Sequence, residues 1–208
     1  MYIRKKILFL LPLIFSLSVL SSDIEEIIVK GEYREKSLGE EDSSIAVIQS
    51  EQIKSQAIKH FQQLSHLVPN LNYAASDSRA RYFQIRGIGE RSGYQGTPNS
   101  SVGFLIDDID YSGQGGIATL FDVDQVEVFR GPQGSRSGAN ALAGLIYIKT
   151  KDPTEKFEGT SELTLGDYGT QNIGIAFGGP MQNKKLKYRL VLRTDYADGF
   201  RKNTYLNK

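Results

Sequence analysis

The sequence predicts an α+β domain followed by the start of an antiparallel transmembrane β-barrel, and three observations carry this prediction. In the middle of the chain, two β-rich runs at 123–129 and 145–149 flank a glycine-rich loop. Ahead of them, residues 50–68 carry apolar side chains at helical spacing. Behind Pro153, three segments of about ten residues each alternate apolar and polar side chains, with turn signals between them.

The last three segments alternate in a way that a soluble antiparallel sheet would share. Arg189 and Arg193 stand opposite an all-apolar face, and aromatic residues end the segments. A charged inner face and an apolar outer face are typical of outer-membrane β-barrel strands. We therefore predict membrane strands here.

The chain opens on the pattern of a secretory signal peptide, which we predict over residues 1–22. Cations at positions 4–6 precede an apolar run at 7–20, and small and then acidic residues follow. A membrane anchor is the alternative, but this run is shorter than the ~20 residues that a spanning helix needs. The pattern predicts export.

The composition excludes several kinds of chemistry. The sequence contains no cysteine, so a lipid attached at the cleavage site, disulfides and thiolate chemistry are all excluded. Without the three signal-peptide cations, 22 Lys and Arg remain against 24 Asp and Glu, a net charge of −2. A nucleic-acid-binding protein needs a basic patch, so no nucleic-acid partner is predicted.

Residues 24–30, I-E-E-I-I-V-K, form a short β-prone run directly behind the predicted cleavage site. It can be the first strand of the domain. It can also be an exposed strand that pairs with the sheet edge of a partner, where backbone hydrogen bonds give affinity. The spacing alone favours the first interpretation.

The domain then continues with a predicted strand at 44–49 and two short helices. Ser50 is a suitable helix N-cap, and the helical stripe is expected to break near Ala57. His60 and His66 are six residues apart and do not share a helix face, so they do not form a metal-binding pair.

A strand-forming region at 71–86 leads into a loop at 90–101 that is rich in Gly, Ser, Pro and Asn. The R-G-I-G motif at 86–89 is not a dinucleotide-binding loop. Ser92 stands where the third glycine is required, and no helix follows.

The runs 102–106 and 109–111 predict a tight hairpin with its turn at 107–108. Four residues within 108–113 also match the first, third, fifth and sixth positions of a calcium loop. Thr119 at the twelfth position cannot supply the bidentate carboxylate, and strands rather than helices flank the loop. We therefore predict no metal and no cofactor.

The glycine-rich loop invites comparison with a phosphate-binding loop, but it contains no lysine, carries Pro132 and leads into a strand. We expect its glycines to permit tight chain reversals. They are Gly131, Gly134, Gly138 and Gly144. No motif that pairs a nucleophile with a base is present either, so an enzyme is not predicted.

Four motifs in order resemble the N-terminal part of TonB-dependent outer-membrane receptors. They are I-R-G-I-G at 85–89, V-G-F-L-I-D-D at 102–108, L-F-D-V-D-Q-V-E-V-F-R-G-P-Q-G at 120–134, and N-A-L-A-G-L-I-Y-I-K-T-K-D-P at 140–153. The resemblance runs over about residues 24–208.

The resemblance implies a domain organisation. Residues 23–31 would be a TonB-box-like segment, 32–153 a plug domain with a small mixed sheet and short helices, and 154–208 the first ~3 barrel strands. Family members close a barrel of about 22 strands, because a bilayer tolerates no unpaired sheet edge. The sequence is thus expected to be the front of a longer protein or a truncated product.

The resemblance also implies site residues, and it reverses the preference for 24–30. The stretch that matches the TonB box comprises Ile24, Glu25, Glu26, Ile27, Ile28, Val29 and Lys30. Candidate substrate contacts are Arg79, Arg81, Tyr82, Arg91, Tyr94, Gln95 and Asn99. Candidates for a plug–barrel lock are Arg86, Glu127 and Arg130, with buried ion pairs expected between the arginines and Glu127.

The function implied is that of a receptor and gated transporter in the cell outer membrane. The inner-membrane TonB energy-transducing complex would act on the N-terminal segment, and a scarce nutrient would enter the periplasm. An iron chelate such as a siderophore, haem, cobalamin and carbohydrate all remain open as substrates. The alternatives are a stand-alone periplasmic plug-like binding module and a non-transporting truncated product.

Overall fold

The computed structural model describes residues 26–32, 34–75, 79–92, 99–115, 118–182 and 185–198. The predicted signal peptide, Ile24, Glu25, Tyr94 and Gln95 lie outside these ranges. Within them, a short 3-10 helix follows β2 at Leu38–Glu40. The strands and α-helices, in chain order, are β1 (Ile28–Val29), β2 (Lys36–Ser37), β3 (Ile45–Gln49), α1 (Ser50–Ser55), α2 (Phe61–Leu64), β4 (Leu71–Ala74), β5 (Tyr82–Ile85), β6 (Val102–Ile106), β7 (Ile109–Asp110), β8 (Val123–Phe129), α3 (Gly134–Ser137), β9 (Gly144–Thr150), β10 (Glu158–Leu165), β11 (Gln171–Pro180) and β12 (Lys187–Tyr196).

A five-stranded sheet, the central sheet, organises the first 150 residues. Its strand order is β3-β8-β9-β6-β7. β6 and β9 run parallel, whereas the other neighbours are antiparallel. The mixed sheet and short helices confirm the predicted α+β class, and the two β-rich runs of the sequence are its strands β8 and β9.

One face of the central sheet carries the larger core. Val126 and Val128 of β8 and Ile146 and Ile148 of β9 all point to this face, as a period of two requires. The helices α1 and α2 and the hairpin β4–β5 cover it. Three aromatic rings meet there, with centroids 5.0–5.6 Å apart, and they are Phe61, Phe83 and Phe104.

The opposite face carries a smaller cluster that includes Val29, Leu105, Phe129 and Tyr147. Glu127 of β8 lies on this face as well and is fully buried. The N-terminal segment and the glycine-rich loop cover this face. Both faces are therefore packed, which explains why β9 is apolar on both sides, whereas β8 also buries Gln125 and Glu127 on the second face.

The helical region matches the prediction in part. Ala57 adopts a φ of 51°, which breaks the helical stripe where the sequence predicted a break. The N-cap prediction was wrong, because α1 already includes Ser50 and its N-cap is Gln49, whose side chain makes no capping bond. The Ser50 hydroxyl instead donates to the adjacent Glu51 carboxylate, 3.0 Å away.

The glycine-rich loop contains a short helix, α3, that the sequence did not predict. Gly138 has a φ of 60° and Gly144 a φ of 159°, and a side chain at Gly144 would overlap the Phe129 carbonyl oxygen. Gly131 and Gly134 face open space with ordinary torsions. Two of the four glycines therefore meet the predicted backbone requirement.

The predicted hairpin is present and turns at Asp107 and Asp108. Both residues have positive φ, 45° and 70°, as a two-residue hairpin turn requires. The Asp107 carboxylate accepts from the backbone amide of Thr150 at 3.0 Å, which ties the turn to the end of β9. In the described part of the chain, no group of three or more His, Cys, Asp or Glu could hold a metal ion.

Strands β10, β11 and β12 form a separate antiparallel sheet, the C-terminal sheet, which confirms the three predicted strands. One face exposes large apolar side chains. Across the described ranges, no helix is long and apolar enough to span a membrane. The exposed side chains include Leu163, Leu165, Ile173, Ile175, Leu190 and Leu192.

Candidate functional site

The N-terminal segment, residues 26–31, lies against the central sheet instead of projecting from it. β1 pairs with β2 over only two residues. The Ile27 carbonyl accepts from the Leu38 amide at 2.8 Å, and the Val29 side chain is fully buried. The described part of the TonB-box-like stretch is therefore docked on its own domain.

Glu127 is the main contact between this segment and the sheet. Its Oε1 accepts from the Lys30 backbone amide at 2.6 Å, and its Oε2 accepts from the Gly31 amide at 2.8 Å. The Gln125 Nε2 donates both to Oε1, at 2.5 Å, and to the Ile28 carbonyl, at 2.9 Å. Burial raises the pKa of Glu127, and the three donors oppose that rise because they favour the ionised form.

Among the described residues, Glu127 forms no ion pair with Arg86 or Arg130, and the assignment of these three residues to a plug–barrel lock stays a prediction. Arg86 is exposed in the turn after β5, with a φ of 54°, and β5 packs on the other face of the central sheet. Arg130 is half-buried and bonds through its amide to the Ser44 carbonyl. Among the described residues, backbone amides and Gln125 have taken the place of the expected arginines.

Burial raises the pKa of Glu127, and the positive charge of Arg136 in α3 also opposes that rise. Its guanidinium lies 4.9 Å from the centroid of the Tyr147 ring and pairs with Asp108 at 2.5 Å. The glycine-rich loop thus brings a positive charge over the face that holds the buried carboxylate. The sequence singled out this loop but not its arginine.

A second contact, a buried ion pair, joins the domain built on the central sheet to the C-terminal sheet. The Asp122 carboxylate accepts two hydrogen bonds from Arg189 of β12, from Nε and Nη2, each 2.5 Å long. The two side chains are only 5% and 10% exposed. A bidentate arginine–carboxylate pair with little solvent fixes both position and orientation.

Phe121, next to this pair, packs on a strip of small residues on β11. Alternate residues of β11 are buried against the domain, whereas the isoleucines between them face outward. The buried residues are Asn172, Gly174, Ala176 and Gly178. The Arg193 guanidinium lies 5.4 Å from the centroid of the Phe121 ring. The sequence showed a polar face opposite an apolar one on these strands, but not that its small residues receive an aromatic ring.

Replacing Gly174 with Ala is expected to loosen this packing. A Cβ at this position would lie 2.8 Å from two carbons of the Phe121 ring, and overpacking of this kind costs about 1–3 kcal/mol. Gly159→Ala on the adjacent strand is the matched control, because its nearest contacts would be an ordinary 3.6 and 3.7 Å. Thermal unfolding of the two variants checks this; equal unfolding temperatures would contradict the prediction.

Two of the candidate substrate contacts, Arg81 and Tyr82, lie next to each other in the structure. Arg81 is exposed, donates from Nε to the Gly113 carbonyl at 3.1 Å, and its guanidinium lies 5.4 Å from the centroid of the Tyr82 ring. Arg79 is half-buried. The structure brings Arg81 and Tyr82 into contact, and their role toward a substrate stays a prediction.

The loop that holds the other candidates is closed at its base. The Glu90 carboxylate accepts from the Ser101 amide at 2.9 Å and from its hydroxyl at 2.6 Å. Arg91 and Asn99 are exposed inside this loop. The loop leads into the start of β6, which pairs with the start of β9, whereas residue 26 lies toward the opposite end of the central sheet.

Comparison with known proteins agrees with this geometry. Residues 37–145 match the family described as the TonB-dependent receptor plug domain. The pesticin receptor of Yersinia pestis is 25% identical over 192 residues, which cover 91% of this chain and 28% of that receptor. The ferripyoverdine receptor of Pseudomonas aeruginosa is 24% identical over 139 residues, 66% of this chain and 16% of the receptor.

Solved structures have the same fold. The ferric yersiniabactin uptake receptor of Yersinia pestis superposes with a TM-score of 0.64 at 25% identity, covering 73% of this chain and 24% of that one. The ferripyoverdine receptor of the Pseudomonas aeruginosa outer membrane superposes with a TM-score of 0.68 at 20% identity, covering 81% and 22%.

These relatives are receptors rather than enzymes, in agreement with the predicted class and with the predicted localisation in the cell outer membrane. The chain spans about a quarter of the length of the first curated relatives, 28% and 23%. The matched region runs from the last residue of β2 to the start of β9, and it includes Asp122, Glu127 and the glycine-rich loop. The chain belongs to the TonB-dependent receptor plug-domain family.

Proposed function

We propose that this chain supplies the plug and the first barrel strands of an outer-membrane receptor that takes up a scarce nutrient. The TonB energy-transducing complex is the proposed partner of the N-terminal segment. The observation that carries the proposal is the docking of this segment on the plug by Glu127, Gln125 and the β2 strand. A pull on the segment would act directly on β8, an inner strand of the central sheet.

An iron–siderophore complex is the first candidate substrate. Relatives are described as a ferripyoverdine receptor, a ferric enterobactin receptor and a ferric yersiniabactin uptake receptor. Another is described as a vitamin B12 transporter, so cobalamin comes second, ahead of haem and carbohydrate. The exposed loop with Arg91 and Asn99, together with Arg81, would offer positive charge and hydrogen-bond donors to an anionic chelate.

The two ends of the plug would have different tasks. The loop that joins Glu90 to Ser101 lies at one end of the central sheet, and the N-terminal segment leads toward the other. Substrate would bind at the first end from outside the cell, while the partner would act from the periplasm. The Asp122–Arg189 pair would keep the plug in register with the barrel wall between these events.

Uptake of radiolabelled substrate by producing cells, with labelled iron for the siderophores and labelled cobalt for cyanocobalamin, tests this proposal. Cells that lack the gene are compared with complemented cells, in strains with and without functional TonB, using a panel of ferric siderophores and cyanocobalamin. We expect one substrate to be taken up only when both the gene and TonB are present, with surface binding retained without TonB. Uptake that is indifferent to TonB, or binding by no member of the panel, would contradict the proposal.

A further inference from the structure

The N-terminal segment is held mainly by side chains of β8 and only weakly by sheet pairing. β1 and β2 pair over two residues, and isolated pairing of that length is marginal in water. The two backbone amides that reach Glu127 form hydrogen bonds of 2.6 and 2.8 Å to a charged acceptor. Hydrogen bonds to charged groups are roughly twice as strong as neutral ones.

Glu127 also lies on an inner strand of the central sheet. Its strand β8 is bonded on one side to β3 and on the other to β9, and it pairs directly with Val47 and Tyr147. Because the carboxylate is fully buried, its two oxygens cannot exchange the segment's amides for water while the segment is in place.

The fit at Gly31 shows how closely the segment approaches. A Cβ on Gly31 would lie 2.5 Å from Glu127 Oε2 and 2.7 and 2.9 Å from two carbons of the Phe129 ring. A side chain at this position would displace the Glu127 carboxylate and the Phe129 ring, or move the segment away from β8. The present contact between the segment and Glu127 therefore depends on glycine at position 31 as well as on the carboxylate at 127.

We propose that Glu127 is the latch of the N-terminal segment, and that loss of its bonds to the Lys30 and Gly31 amides is the step that frees the segment for a partner's β-strand. The latch is a positioning device: it holds the segment on the plug and touches no substrate. Only the identity of the partner rests on the proposed function. The holding contact itself is independent of it.

The docked segment cannot pair with a partner strand as it stands. The carbonyls of Ile27 and Ile28 accept from Leu38 and Gln125, and the Val29 side chain is buried. Strand addition needs a free row of backbone donors and acceptors. Release must therefore precede or accompany capture, and the latch sets how much of the segment is free at rest.

The absence of cysteine from the sequence permits a direct test. A Val29→Cys reporter is buried while the segment is docked, so its reaction with a membrane-impermeant maleimide in isolated outer membranes measures release. We expect Glu127→Gln to speed labelling by roughly tenfold or more, because the amide offers one acceptor and sets a donor against the second backbone N–H. Asp124→Asn, which removes only the partly exposed ion pair to the Lys30 ammonium, should change labelling less than threefold.

A second pair of variants leaves Glu127 intact. Gly31→Ala should release the reporter as Glu127→Gln does, whereas Gly39→Ala should not, because a Cβ there would meet only the Ser37 hydroxyl at 3.8 Å. An Ala143→Cys reporter, buried in the plug beside the larger core, should stay unlabelled in all four variants.

Three results would overturn the latch. The first is unchanged labelling of Val29→Cys in both Glu127→Gln and Gly31→Ala, and the second is that Asp124→Asn speeds this labelling as much as Glu127→Gln does. The third is that the Ala143→Cys reporter becomes labelled together with the Val29→Cys reporter. The last would mean that Glu127 supports the whole plug instead of the segment. No substrate and no TonB enter this experiment. Failure of the latch is therefore distinguishable from failure of the proposed uptake function.

Discussion

Replacing Arg189 with Ala is expected to weaken the docking of the plug on the barrel strands by about 3–5 kcal/mol. The change leaves the Asp122 carboxylate, whose side chain is 5% exposed, without its bidentate partner. Removing one member of a buried ion pair costs this much because the remaining charge stays desolvated. Urea unfolding of the detergent-solubilised protein, followed by protease sensitivity of the plug, measures the loss.

The control is the Lys187→Ala variant, two residues away on the same strand. Lys187 pairs with Glu155, whose side chain is 80% exposed, and surface pairs contribute about 0–1 kcal/mol. Asp122 has a φ of 62°, which Asn tolerates, so Asp122→Asn removes the charge without straining the turn. The double variant Asp122→Asn with Arg189→Ala should recover part of the loss. Additive effects would show that the two side chains do not stabilise each other.

The elements of the fold followed from the sequence wherever the local pattern decides the structure. Period-two runs gave β8, β9 and the three C-terminal strands, and consecutive aspartates gave the β6–β7 turn, because a hairpin turn needs residues that tolerate positive φ. The helix boundary at Ser50 and the short helix α3 did not follow. Each depends on how the segment packs against the sheet, which a local pattern does not contain.

The site was predictable only as a set of motifs. Glu127 was singled out, but its partners were expected to be Arg86 and Arg130, since a buried carboxylate is usually paired with a cation. The structure satisfies it instead with the amides of Lys30 and Gly31, nearly 100 residues away in the chain. A backbone amide is present whatever the side chain is, so no sequence motif can indicate which amides bond to a buried carboxylate.

The ion pair between Asp122 and Arg189 was likewise not predictable from the sequence. Each residue stood in a stretch that the sequence marked, one in the L-F-D-V-D run that carries part of the family resemblance and the other on the polar face of β12. Which charge on a polar face meets which aspartate depends on how the domain sits against the strands. That placement arises from Phe121 on the small residues of β11, and it is a tertiary feature.

Replacing Ile27 with Pro is expected to abolish energised uptake while leaving substrate binding at the cell surface intact. Proline removes the backbone N–H that a partner strand would use and restricts φ at that position. Ile27 is the better site than Val29, because Val29 is buried against the plug and its replacement would also disturb packing. Uptake should fall to the level of cells without TonB.

The matched control is Ile27→Ala, which keeps the amide and removes only part of a half-buried side chain. Initial rates of radiolabelled uptake and equilibrium binding are measured in the same cells for both variants. If Ile27→Pro lowers uptake and binding together, the variant has damaged the receptor, which the Val29→Cys labelling assay and surface abundance can show separately. If it changes neither, residues 24–30 do not couple the receptor to TonB. Loss of uptake in Ile27→Pro but not in Ile27→Ala would show that the backbone at residue 27 couples the receptor to TonB. This step would be separate from the latch, because the two hydrogen bonds of Glu127 go to the Lys30 and Gly31 amides and not to the Ile27 amide.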